Sequence, residues 1–221
     1  SSREGLSISA AIDRHYRWAG STALRKGHGR TPANSTVQPL RIGRWSYHPY
    51  MAPTTHLLYL HGFRSSPHSA KAQAMAEHVR TQHPAVHWWC PQLPPSPQEA
   101  MELVREGIRD WPAGQMAVIG SSLGGFYASW VAHQQNCPSV LINPASYPDR
   151  DLERYIGEQS SWHDPEVRFF FKPEYIAQLQ ALSLRGKAPA GPELGLFAKG
   201  DELLDWHEMV SRYPLAEHIL I

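Results

Sequence analysis

Gln115-Met116-Ala117-Val118-Ile119-Gly120-Ser121-Ser122-Leu123-Gly124-Gly125 is the stretch on which the fold turns. Residues 115–119 form a short apolar run, the pattern of a strand covered on both faces, and such strands belong to parallel sheets. Gly120-Ser-Ser-Leu-Gly124 follows at once, and a helix pattern runs from Leu123 to about Gln135. A bare G-x-S-x-G is a weak signal. Placed between strand and helix, it describes a sharp turn whose glycines relieve backbone crowding while the middle serine stands at a helix N-terminus. The N–H groups of that terminus suit a developing oxyanion. Ser122 is therefore the candidate nucleophile, with Ser121 pointing elsewhere. The competing reading is a Gly/Ser-rich phosphate-binding turn or a plain loop.

The alternation extends in both directions. Upstream, His56–Leu60 reads as a strand, Ser66-Pro67 as a helix cap opening a helix to about His83, and Val86–Cys90 as a second strand. The proline-rich turn 91–95 and a second cap, Ser96-Pro97, lead into a helix ending near Trp111. Downstream, Ser139–Ile142 is a strand closed by Asn143-Pro144-Ala145. Residues 146–192 are aromatic and proline-bearing with no clear strand, and read as a lid over the serine. A strand at 193–198, a helical stretch at 203–212 and a strand at 217–221 complete the chain. The pattern predicts an α/β fold over residues 54–221, a mostly parallel sheet with helices on both faces.

Composition narrows the function classes. The 221 residues are 42% hydrophobic and include 8 Trp, 9 Tyr and 6 Phe, which argues for a packed core. The net charge of +1 gives no global field for nucleic acid or acidic lipid. Apolar runs fall far short of the roughly 18 residues a spanning helix needs. Two cysteines, Cys90 and Cys137, suit a reducing cytosol. Residues 1–53 stand apart, with eight Arg and Lys against two acids and little periodicity. They read as a basic, irregular extension, dispensable for folding, with Met51 as the natural start. A transit peptide and a basic arm are the alternatives. Its scattered arginines, without an aromatic platform, are poor evidence for nucleic-acid binding.

Two further turns carry chemistry. His61-Gly62-Phe63 follows the first strand, and His61 reads as structural rather than as a base. Gly200-Asp201-Glu202-Leu203-Leu204-Asp205 follows the strand at 193–198. An acid there can orient an imidazole. Asp201 is first choice and Asp205 second, with a helix cap as the competing role for Asp201.

Leu58-Tyr-Leu-His-Gly-Phe63, Ser65-Ser66-Pro67 and Ser69-Ala-Lys-Ala72 resemble the opening of the YqiA-like esterases, small members of the α/β-hydrolase superfamily. Pro91-Gln-Leu-Pro-Pro95, Gly120–Gly125, Asn143-Pro-Ala145 and Gly200–Asp205 resemble later blocks of that family, in order. The resemblance covers about 54–221. It implies hydrolysis of acyl esters, with Ser122 as nucleophile, Asp201 as triad acid, and the N–H groups of Phe63 and Leu123 as oxyanion donors. It implies no cofactor.

One element of that pattern is missing. In this fold the catalytic histidine follows the last strand, whereas here the chain stops at Ile221. His207 reads as an outward helix position, and His218 opens a strand too far from Ser122. The expectation is therefore a C-terminally truncated hydrolase, poorly soluble and impaired in activity, with a non-catalytic ligand-binding pseudo-hydrolase as the alternative. Trp162, Phe169-Phe170-Phe171 and Tyr175 supply apolar surface for an acyl pocket or pack the lid onto the body. Short- to medium-chain acyl esters or thioesters are the expected small-molecule substrates. No metal constellation, nucleic-acid partner or membrane partner is expected, and the expected location is the cytoplasm.

Overall fold

The computed structural model describes residues 53–112, 114–162 and 164–221. The basic extension, the Met51 start and the readings attached to them lie outside these residues. The strands are β1 (His56–Leu60), β2 (His87–Trp89), β3 (Met116–Ser121), β4 (Ser139–Ile142), β5 (Gly157–Ser160), β6 (Arg168–Phe171), β7 (Glu193–Phe197) and β8 (Glu217–Leu220). The helices are α1 (Ala70–Gln82), α2 (Pro97–Gly107), α3 (Leu123–Gln135), α4 (Pro148–Asp151), α5 (Glu174–Leu182) and α6 (Trp206–Arg212).

Six strands form one sheet in the order β2-β1-β3-β4-β7-β8, and every pairing in it is parallel. All residues of β3, β4 and β7 are buried, which is why these segments read as unbroken apolar runs. The chain leaves β1 for β2 on one side and then crosses back to β3 on the other. The carboxyl ends of β1 and β3 therefore flank a topological switch point, where open α/β sheets bind ligands. The turns after these two strands hold Phe63 and Ser122.

Local signals set most boundaries. α3 and β4 fall where the sequence places them, and Asn136 closes α3 in the left-handed region at φ 50°. Ser96 caps α2, its hydroxyl accepting from the Glu99 N–H at 3.3 Å with Pro97 at the first position. The helix stops at Gly107 rather than near Trp111, and a turn closed by Trp111 N–H on the Ile108 carbonyl follows.

Two expectations are corrected. The first helix starts at Ala70 with Ser69 as its cap, not at Ser66-Pro67. Ser66 instead closes a preceding turn, its carbonyl accepting from Ser69 N–H and its hydroxyl from His68 N–H. The buried face, Ala72, Met75 and Val79, begins only after Ser69 and so decides between two cap-competent serines. The lid also contains strands: β5 and β6 pair antiparallel as a hairpin apart from the main sheet. Within it Phe171 is buried, Phe169 half-buried and Phe170 exposed, the alternation of a strand.

One buried charge is set into the sheet. Glu193 opens β7 at 9% exposure and accepts from the Ser139 hydroxyl at 3.1 Å. Desolvation pushes its carboxyl above the usual range, opposed by the Ser129 and Ser139 hydroxyls and by Arg212 and His218. A raised acid binds protons more readily folded than unfolded, so stability falls as pH rises from the unfolded value through the folded one. Glu193→Gln should therefore be more stable than the parent at pH 8, an advantage that disappears below about pH 4, where the carboxyl is protonated in both states. Urea unfolding at the two pH values checks both the sign and the window.

Candidate active site

The turn between β3 and α3 is built by contact. A Cβ on Gly120 would lie 2.0 Å from the Gly124 carbonyl oxygen, and one on Gly124 would lie 2.0 Å from that of Leu60. Only glycine lets the start of α3 sit this close to the ends of β1 and β3. Ser122 takes up the remaining strain at φ 56° and ψ −122°, a conformation that costs of order 1–3 kcal/mol. It is held there from both sides. Its N–H donates to the Ile142 carbonyl at 3.0 Å, and its carbonyl accepts from Gly125, Phe126 and Ala145 at 2.9, 3.3 and 3.0 Å.

Ser122 is also the N-cap of α3, yet its side chain makes no capping bond. A serine at this position ordinarily spends its oxygen on the helix. Leu123 is the first residue of α3, so its N–H has no carbonyl within the helix to bond. The neighbouring Ser121 is buried, its hydroxyl 3.5 Å from the Lys71 ammonium.

The turn after β1 lies against the elbow. A Cβ on Gly62 would come within 3.2 Å of Ser122 Cβ and 3.6 Å of Ser122 Oγ. This brings residues 62–63 beside the candidate nucleophile. His61 is 4% exposed and spans two turns: its Nε2 accepts from Leu93 N–H at 3.1 Å, and its Nδ1 lies 3.0 Å from the Gly62 carbonyl. These partners require the proton on Nδ1 and a lone pair on Nε2. His61 is thus a structural tie between the 61–63 turn and the proline-rich turn at 91–95.

The acids separate by role. Asp201 Oδ1 accepts from the N–H groups of Leu203 and Leu204, both at 3.0 Å, and its Oδ2 accepts from Asn143 Nδ2 at 2.7 Å. Asn143 Oδ1 in turn accepts from Ala198 N–H at 2.8 Å. Asn143 follows β4 directly, and Ile142, its neighbour, holds the Ser122 N–H. Asp201 is thereby tied to the elbow's side of the sheet. It does not cap a helix. Asp205 does, its Oδ1 accepting from the His207 N–H at 2.9 Å and pairing with His207 Nδ1 at 2.8 Å. Those bonds hold the Asp205 carboxyl below its usual range. Asn143 appears in the sequence only as part of a strand-closing turn, and its role as the partner of Asp201 was not legible there.

The two histidines near the chain end lie on α6 and β8. His207 is exposed on α6 beside Asp205, and His218 Nε2 donates to the Tyr213 carbonyl at 2.6 Å. Among the described residues no group of three or more His, Cys, Asp or Glu could hold a metal ion. In the same residues no helix is long and apolar enough to cross a membrane. Burial raises the thiols of Cys90 and Cys137 to about 12, which leaves both as weak nucleophiles.

A family model described as an uncharacterised protein family, UPF0227, matches residues 56–221. The chain belongs to this family, that of the YqiA-like esterases. Solved structures place the fold. The alpha/beta hydrolase domain-containing protein 10 from mouse aligns at TM-score 0.54 and 17% identity, over 76% of this chain and 79% of that one. The esterase domain of a Rhodothermus marinus protein aligns at TM-score 0.55 and 16% identity, over 75% of each chain. Est1E from Butyrivibrio proteoclasticus aligns at TM-score 0.54 and 14% identity, over 76% and 78%. The YqiA-like chain therefore has the α/β-hydrolase fold.

The strain at Ser122 is measurable. Ser122→Gly should raise stability by about 1 kcal/mol, since glycine adopts this φ/ψ freely. Gly124→Ala should lower it by about 3 kcal/mol through overpacking against β1. Equal stability of the two variants in urea would contradict this account of the turn.

Proposed function

We propose that this chain is a serine hydrolase of carboxylic esters or thioesters with short to medium acyl chains. The observation that carries the reading is the strained Ser122, whose hydroxyl is left unspent at the N-terminus of α3. The Ser122 oxygen attacks the carbonyl carbon as its proton passes to a general base; Asp201 stands where it would orient an imidazole in that role, and no histidine among the described residues is assigned to it. Negative charge collects on the former carbonyl oxygen, which accepts from the N–H groups of Phe63 and Leu123. Collapse expels the alcohol or thiol, which takes the proton back from the general base, and leaves an acyl group on Ser122. Water then repeats the sequence and releases the acid.

Asp201 suits the orienting role better than Asp205. Asn143 and two backbone N–H groups hold its carboxylate firmly on the β4–β7 side of the elbow, whereas Asp205 is occupied at the start of α6. We assign the proton transfer to none of His61, His207 or His218, whose ring contacts lie elsewhere. Phe171 and Tyr175 pack into the core. Phe169, facing Phe63, is the lid aromatic best placed to meet an acyl chain.

Hydrolysis of p-nitrophenyl butyrate beside the Ser122→Ala and Asp201→Asn variants tests the reading. Ser122→Ala should fall to the uncatalysed background, and Asp201→Asn should lose about 10²-fold or more. Activity that survives in Ser122→Ala overturns the assignment. A folded protein silent toward esters, with Ser122 inert to a fluorophosphonate probe, would instead be a ligand-binding member of the fold.

A further inference from the structure

Residue 64 lies next to a candidate oxyanion donor and is bound to the lid by both its backbone and its side chain. Its carbonyl accepts from Trp162 N–H at 2.8 Å. Its guanidinium donates from Nε to the Ser160 carbonyl at 2.6 Å and from Nη2 to the Ser160 hydroxyl at 3.1 Å. The same guanidinium lies 4.1 Å from the centroid of the Trp162 ring. Arg64 holds φ 58°, a strained conformation that persists only where its surroundings over-determine it.

Phe63 is tied to the same hairpin. Its ring meets Phe171 edge-on at 5.2 Å, Phe169 edge-on at 6.0 Å and Tyr155 at 5.6 Å. The hairpin β5–β6 is a two-stranded sheet of its own, and such a hairpin is marginal without packing against something else. Here the turn carrying Phe63 and Arg64 supplies part of that packing, beside the core contacts of Phe171.

We infer that Arg64 is a positioning residue: it joins the lid hairpin to the 62–64 turn, so that the Phe63 N–H is aimed at the oxyanion only while the hairpin is docked. The inference rests on the assignment of Phe63 as an oxyanion donor, and it adds that lid docking and completion of the oxyanion site are one event. Arg64 touches no reacting atom. Its bidentate grip on Ser160 requires a guanidinium, while its stack on Trp162 requires only a cation. Lysine should therefore replace it in part.

The test compares Arg64→Ala, Arg64→Lys and Trp162→Ala with the parent chain by amide exchange and by ester hydrolysis. Three amides are read: Ser65, which donates to the Gly62 carbonyl, Trp162, which donates to Arg64, and Val118 in β3, which donates to Pro138. Arg64→Ala should speed exchange at Ser65 and Trp162 together by about tenfold while Val118 is unchanged, since local opening leaves the core intact. With p-nitrophenyl butyrate, kcat should fall about 10- to 100-fold with KM within about threefold, as for a misplaced oxyanion donor. Arg64→Lys and Trp162→Ala should fall between. Faster exchange at Trp162 with Ser65 unmoved overturns the coupling, as does an unchanged kcat once the hairpin opens. If the parent hydrolyses no ester, the proposed function fails, and exchange at the two amides still decides whether lid and turn move together.

Discussion

Everything at the site depends on how closely the first turn of α3 approaches β1. At Gly124 the two backbones meet with no room for a Cβ, and this contact forces the chain to reverse within a few residues. Ser122 absorbs the reversal as backbone strain. It is held there by its N–H donating to the Ile142 carbonyl of β4 and by its carbonyl accepting from the N–H groups of Gly125, Phe126 and Ala145. Strain of this kind survives only where rigid neighbours outvote it. The central position of β3, between β1 and β4, supplies those neighbours.

The same crowding settles the electrostatics. With its side chain excluded from capping, Ser122 leaves the N-terminus of α3 open, and the N–H of Leu123 stays available beside it. Across the sheet, Asn143 stands at the end of β4 and hands its amide to Asp201, so an acid in a loop after β7 is held by a strand next to the elbow. Asp205, four residues on, is spent on α6. Two acids in one loop thus have different work because different partners reach them. Opposite, the His61 ring ties the turn after β1 to the turn after β2, and Phe63 and Arg64 carry that turn into the lid. The site is a meeting of four loops on a rigid sheet edge, with a smaller, weaker sheet resting on one of them.

How legible this was in the sequence varies with how local its cause is. β4, α3 and the Ser96 cap of α2 were readable because each depends on a few adjacent residues: an apolar run, a glycine turn, a cap followed by proline. The start of α1 was misread because Ser66 and Ser69 are equally good caps and only the buried face of the helix chooses between them. The lid hairpin was missed because Gly157-Glu-Gln-Ser160 carries no β signal. It becomes a strand only by pairing with Arg168–Phe171. Among the site residues, Ser122, Phe63 and Asp201 were candidates from their places after strands. Asn143 and Arg64 were not, since their partners lie 58 and 96 residues away in the chain.

The sequence by itself determined the parallel α/β architecture and its family, because strand hydrophobicity, helix caps and glycine turns act over short ranges and accumulate in a fixed order. It also determined which serine stands at the elbow, since the turn cannot form without glycine at 120 and 124. Only the tertiary structure decided which acid faces that serine's side of the sheet, which ring holds the neighbouring turn, and where the lid is fastened. Each of those depends on side chains brought together across a sheet edge, and no spacing along the chain encodes a contact that exists only after the sheet has formed.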